Sequence, residues 1–127
     1  MRKLDPSKNY GLTHADLNLF NCLVDKGELK VIDFGDTRVG SYFYDFAVPL
    51  SYLDELEHYQ ALYDALCEGY TQVRPLSSAD LKTVDTFMVA RALDMIEWVH
   101  YDWPTVDHHP WGREFMGKYV RNLEAYI

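Results

Sequence analysis

Two short runs rich in Leu, Val and Ile, Cys22 to Asp25 and Glu28 to Phe34, flank Asp25-Lys26-Gly27, and nothing else in the sequence constrains the fold as tightly. Strand-length apolar runs closed by Asp and Gly predict a β-hairpin, because its turn needs residues that tolerate positive φ. Polar side chains bracket this hairpin: His14, Asp16 and Asn21 precede it, and Asp33-Phe34-Gly35 ends it. A lone hairpin cannot enclose a core, so the remaining chain must supply one.

That remainder has helical spacing. Tyr42 to Leu53 is nearly all apolar or aromatic and should be buried on most sides; if it is helical, Pro49 must sit in the first turn or kink it. Leu53, Leu56, Tyr59, Tyr63, Leu66 and Tyr70 recur at the period of an amphipathic helix that closes near Gly69. Ser77 or Ser78 can cap the next helix, whose apolar face runs from Leu81 through Val84, Met88, Ala92 and Met95 to Val99 before Trp103-Pro104 stops it. Phe115, Met116, Tyr119, Val120 and Leu123 draw a last helix. The first ten residues, polar and containing Pro6, read as a lead-in. The expected class is α+β and predominantly α-helical, in one domain spanning residues 1–127, since no repeat or interior linker divides the chain.

Composition narrows the partners. A net charge of -8 argues against nucleic acid, whose phosphates demand surplus Lys and Arg, and suits a cationic small molecule better. No apolar run approaches the ~18 residues of a membrane span, and no apolar stretch follows the basic start as in a signal peptide. With only Cys22 and Cys67, reduced thiols and a cytoplasmic location are expected.

The chemistry is concentrated in THADLNLFNCLVDKGELKVIDFGD. His14-x-Asp16 is followed five residues later by Asn21, and the second run of the hairpin leads into Asp33-Phe34-Gly35. These are the HxDxxxxN and DFG elements of kinase-type sites, in order and on the expected elements. Phosphoryl transfer needs a carboxylate that orients the acceptor hydroxyl and receives its proton, together with oxygen ligands that hold magnesium on the nucleotide phosphates. Asp16 is placed for the first task; Asn21 and Asp33 are placed for the second.

The stretch more closely resembles the aminoglycoside phosphotransferase and choline kinase superfamily, which reads approximately HGDLHPGN, a short hairpin, IDFxD and GxxxYDLA. The matching residues are His14, Asp16, Leu17 and Asn21, then Ile32, Asp33, Phe34 and Asp36, then Gly40, Tyr44, Asp45 and Ala47. The resemblance covers residues 10–53 well and implies the C-terminal lobe of a protein-kinase-like fold. It implies Asp16 as catalytic base, Asn21 and Asp33 as ligands to Mg2+ on ATP, and Asp45 as a buttress accepting backbone hydrogen bonds from the catalytic loop. His14 reads as a loop-orienting residue, and Asp36 as either a turn residue or a functional one. Ala15 stands where the family has Gly, and Asn18, Leu19 and Phe20 stand where His, Pro and Gly often occur.

Other candidates carry less. Arg91 shares the apolar face of its helix, so its guanidinium must be paired, with Asp45 or Asp36 as the expected partner. His100, Asp102, Asp107, His108 and His109 match no familiar zinc spacing and read as a solvated loop. Asp94 and Glu97 read as solvated, or as facing an acceptor pocket.

No Gly-rich phosphate loop or strand Lys of a nucleotide-binding lobe is found, and that N-terminal lobe is expected to be absent. The chain is therefore expected to be the catalytic lobe of an ATP-dependent kinase for a small hydroxylated acceptor, aminoglycoside-, choline- or amino-alcohol-like, inactive alone. The alternative is a non-catalytic remnant or interaction module retaining the lobe fold. A homodimer, or the missing lobe, would cover the surface left open.

Overall fold

The computed structural model describes residues 9–101 and 110–126. Strand β1 is Tyr10–Thr13, followed by a 3-10 turn at Leu19–Asn21, strands β2 (Cys22–Asp25), β3 (Glu28–Val31) and β4 (Arg38–Ser41), and helices α1 (Tyr42–Leu53), α2 (Tyr59–Thr71), α3 (Ser78–Tyr101) and α4 (Pro110–Tyr126). The class is α+β with helices dominant, as the sequence predicts.

β2 and β3 pair antiparallel, with Cys22 opposite Val31 and Asp25 opposite Glu28. Lys26 at φ 53 and Gly27 at φ 83 form the two-residue turn, and both need the left-handed region that the right-handed twist of a tight hairpin imposes. The second run ends at Val31 because Asp33, at φ 62, leaves the extended region.

A second antiparallel pair was not legible in the sequence: β1 joins β4, with Leu12 opposite Val39 and Thr13 opposite Arg38. Tyr10 therefore belongs to a strand and not to a lead-in. The Thr13 hydroxyl donates to the Arg38 carbonyl at 2.9 Å, and Gly11 lies so close beneath Tyr42 that a Cβ there would stand 1.9 Å from the Tyr42 hydroxyl. Together the two strands deliver the chain into α1.

Helix α1 is the core of the lobe. Phe43, Phe46, Ala47 and Leu50 pack with Val84 and Met88 of α3, while Tyr59, Tyr63, Leu66 and Tyr70 of α2 close over them. Pro49 lies inside the helix, beyond its first turn, so it removes a backbone donor there; burial of the surrounding apolar faces keeps the segment helical despite that loss. Helix α2 begins at Tyr59 and not at Leu53, because a turn carries the chain around the end of α1.

Helix α4 packs on α3 through Tyr119 against Ala92 and Met95. A polar latch joins it to the end of α1: Lys118 pairs with Asp54 at 2.7 Å, and Asn122 donates to the same carboxylate. No helix among the described residues is long and apolar enough to cross a membrane. The stop at Trp103-Pro104 and the side chains of Asp102, Asp107, His108 and His109 lie outside the described residues, while His100 is exposed near the end of α3.

The Tyr119 hydroxyl is buried, with Ser51 near it but no hydrogen bond of good geometry among the described residues, and burial pushes its pKa up to about 12. A phenol whose folded pKa lies above its unfolded value of 10.0 stabilises fully below pH 10 and loses that contribution as pH rises through about 12. Tyr119→Phe removes a buried unpaired hydroxyl at nearly constant shape, so it should stabilise the fold or leave it unchanged. Urea unfolding near neutral pH and again between pH 10 and pH 12 checks this: the variant should lose less stability than the parent over the alkaline range.

Candidate active site

The site is built on the segment between β1 and β2. Ala15 adopts φ 67, a conformation that costs an L-residue roughly 1–2 kcal/mol. The segment is held there by Asp45, in the first turn of α1, whose two carboxylate oxygens accept the backbone N–H groups of His14 and Ala15 at 2.7 Å each. The left-handed turn explains why the resembling family has Gly at this position. Here the Ala15 methyl group is buried and packs with Tyr44 and Val48, which offsets part of the strain.

His14 links this loop to the end of the hairpin. Its Nε2 lies 2.9 Å from the Ile32 carbonyl, which can only accept, so Nε2 carries the proton and Nδ1 accepts from the Asp16 N–H at 3.3 Å. The ring also meets Phe34 at 4.8 Å.

Asp16 is the hub of the site. Its Oδ1 binds the Arg91 guanidinium at 2.8 Å, and its Oδ2 accepts from Asn18 at 2.8 Å and from Asn21 at 3.0 Å. A carboxylate offers about four lone-pair positions, so one remains for an incoming hydroxyl. Both Asn21 partners, the Asp16 carbonyl at 2.9 Å and its carboxylate, are pure acceptors, which forces the Asn21 nitrogen toward them and leaves its Oδ1 facing away. The Ile32 N–H donates to the Asn21 carbonyl at 3.0 Å, which sets Asp33 beside Asn21 at the open end of the hairpin, with the Asp33 carboxylate exposed. An amide oxygen and a carboxylate are the types of oxygen donor that a hard cation such as magnesium takes. No group of three His, Cys, Asp or Glu side chains able to hold a metal occurs among the described residues.

Arg91 is buried and paired as expected, but its partner is Asp16 and neither Asp45 nor Asp36. The Asp45 oxygens are committed to the loop backbone, and Asp36 stays exposed on the wall of the adjoining cavity. Burial opposes the charge on Arg91, yet Tyr44, Tyr52 and Asp16 outweigh it and hold the guanidinium above its ordinary pKa. The Tyr44 pKa is itself raised, by burial and by its hydrogen bond to Asp94. Asp94 thus serves Tyr44 instead of facing open solvent.

A cavity of about 490 Å³ opens beside this hub, with Asp16, Asp36 and Arg91 on its wall. Phe20, Tyr52, Trp98 and Phe115 supply its aromatic lining. Sequence reasoning missed Asn18, although an Asn immediately before a short turn is a capping signal: its Oδ1 accepts from the Phe20 and Asn21 N–H groups at 2.8 and 3.2 Å while its Nδ2 fixes Asp16. It also missed the four aromatic residues, which come from four separated segments and carry no shared spacing.

A carboxylate fixed by an amide pair and an arginine thus stands beside an open cavity. Residues 1–76 match the phosphotransferase enzyme family (APH), and the chain belongs to that family. It is 35% identical over 95 residues to an uncharacterized protein of Deinococcus radiodurans, covering 71% of this chain and 28% of the other. It is 31% identical over 97 residues to a homoserine kinase of Gluconobacter oxydans, covering 73% and 31%. Among solved structures it resembles a microcompartment-associated aminopropanol kinase with a TM-score of 0.71 and 29% identity, over 91% of this chain and 36% of that one. The chain thus spans about a third of the length of these proteins, at 28%, 31% and 36%.

Asp45→Asn should test what holds the loop. The amide replaces one acceptor by a donor facing a backbone N–H, so a loss of about 2–4 kcal/mol in urea unfolding is expected. Ala15→Gly relieves the left-handed strain but removes a buried methyl group, and its stability should stay within about 1 kcal/mol of the parent in the same measurement.

Proposed function

We propose that this chain is the catalytic lobe of a kinase that transfers the γ-phosphoryl group of ATP to a hydroxyl of a small acceptor, aminoglycoside-, choline- or amino-alcohol-like. The observation that carries the reading is the convergence on Asp16: Arg91, Asn18 and Asn21 occupy three positions of its carboxylate and leave one directed acceptor for the substrate hydroxyl. The named relatives point the same way, since homoserine and aminopropanol are both small hydroxyl compounds bearing an amine.

In this reading Asp16 orients the acceptor hydroxyl for attack and takes its proton as the new O–P bond forms. His14 and Asp45 fix the loop that presents it, and Arg91 positions its carboxylate from the core helix. Asn21 Oδ1 and Asp33 would hold magnesium, which when bound neutralises phosphate charge. The apolar side chains of Leu12, Val24, Leu29 and Val39, exposed on the two strand pairs, with Phe34 exposed in the loop between β3 and β4, would offer a nucleotide-binding lobe a surface on which to pack. Cytoplasmic residence accords with the free thiols of Cys22 and Cys67.

The competing reading is a non-catalytic interaction module, favoured by the same open apolar face. A phosphorylation assay over aminoglycosides, choline and amino alcohols separates the two. The 127-residue chain alone should bind Mg-ATP weakly and turn over nothing, whereas joined to a nucleotide-binding lobe it should phosphorylate at least one acceptor. Asp16→Ala should then lower kcat by about 10²-fold or more. Turnover insensitive to Asp16, or none with the lobe supplied, would sink the kinase reading.

A further inference from the structure

A second cavity, of about 210 Å³, lies where α1, α3 and α4 meet. Each helix lines it with residues one turn apart: Ser51 and Asp54 at the end of α1, Met88 and Ala92 in α3, and Tyr119 and Asn122 in α4. Among the described residues it shares no lining side chain with the cavity beside Asp16. Its polar groups are not used up by the fold. The Tyr119 side chain is 1% exposed, and its hydroxyl, with Ser51 near it, completes no hydrogen bond of good geometry among the described residues. The Ser51 hydroxyl donates to the Val48 carbonyl at 2.7 Å, so its oxygen is left to accept. The Asp54 carboxylate is neutralised by Lys118 at 2.7 Å and receives the Asn122 amide, and lone pairs remain on it as well. A buried hydroxyl without a partner lowers stability, and a phenylalanine ring would fill the same space without that loss. Packing alone therefore does not account for the Tyr119 hydroxyl.

We propose that this cavity is a ligand site of its own, for a small uncharged molecule that carries two hydroxyl groups on a short apolar body. Ser51 and Asp54 can accept, and Tyr119 can donate or accept, so a diol satisfies more of the site than a single alcohol does. Met88 and Ala92 supply an apolar part of the wall, which favours a carbon body. The ion pair excludes charged ligands: a cation would compete with Lys118 for Asp54, and an anion with Asp54 for Lys118. The volume equals roughly seven waters at ~30 Å³ each, which suits a molecule of about five to seven heavy atoms. The site adjoins the Asp16 cavity without being part of it. Ser51 precedes Tyr52, Ala92 follows Arg91, and the Tyr119 ring meets Phe115 at 4.9 Å, so a molecule held here braces three residues that wall the other cavity.

Titration of the 127-residue chain tests this and requires no turnover. Propane-1,3-diol, propan-1-ol, propylammonium and propionate would be added in NMR experiments, with the Met88 and Ala92 methyl groups reporting on this cavity and Phe20 and Trp98 on the one beside Asp16. The diol is expected to shift Met88 and Ala92 with a millimolar dissociation constant, in keeping with a ligand of about five heavy atoms. It should bind about tenfold more tightly than propan-1-ol, as one further hydrogen bond allows, and the two ions should leave both methyl groups unmoved. Tyr119→Phe conserves the shape of the core and should weaken the diol about tenfold. Ser51→Ala should weaken it in the same direction, and with the ligand series it decides the matter even where Tyr119→Phe fails to fold. Diol shifts confined to Phe20 and Trp98, no shift at Met88 or Ala92, equal affinity for propan-1-ol, or unchanged affinity in both variants overturns the proposal.

Discussion

The bond pair from Asp45 to the N–H groups of His14 and Ala15 is the contact on which the rest of the site depends. It joins a strained loop to the first turn of the most buried helix, where the exposed backbone N–H groups of the helix end also favour a carboxylate. With the loop fixed at Ala15, the next residue, Asp16, is aimed at α3, where Arg91 waits on the buried face. One carboxylate therefore relates the loop to α1, and the next relates it to α3. Both helices already pack on each other through Phe43, Leu50, Val84 and Met88, so the loop inherits the rigidity of the core.

Asp16 is held by an arginine and two amides, and its carboxylate is therefore closely oriented. That suits phosphoryl transfer, whose loose transition state asks for positioning and charge neutralisation more than for strong proton abstraction. The His14 bridge adds a second restraint by tying the loop to Ile32, next to Asp33. Loop and hairpin end are thus tied to each other.

The sequence made the chemistry more legible than the architecture around it. Asp16, Asn21, Asp33 and Asp45 stand in a contiguous stretch whose spacing is dictated by a loop, a two-residue turn and a helix start, all local constraints. The pairing of β1 with β4 escaped notice because its strands are four residues each, lie far apart in sequence and contain Gly11 and Gly40, which weaken any strand signal. The partner of Arg91 was misassigned for a related reason. Periodicity says that a residue is on a buried face, but the identity of the carboxylate across from it depends on which acids the backbone has already claimed. The cavity beside Asp16 was illegible because Phe20, Tyr52, Trp98 and Phe115 meet only through packing.

Among the described residues both sheets are two-stranded, so every strand has an unpaired side with open backbone donors and acceptors. Lys26, Lys30 and Arg38 are spread along these strands and their turn, where charge discourages another strand from docking edge to edge. Such protection is electrostatic and falls off with the Debye length, about 10 Å at 0.1 M salt and 3 Å at 1 M. Ionic strength therefore sets how well these edges resist pairing with another chain, and the low-salt buffers that keep many acidic proteins apart are the ones in which these strands are best guarded.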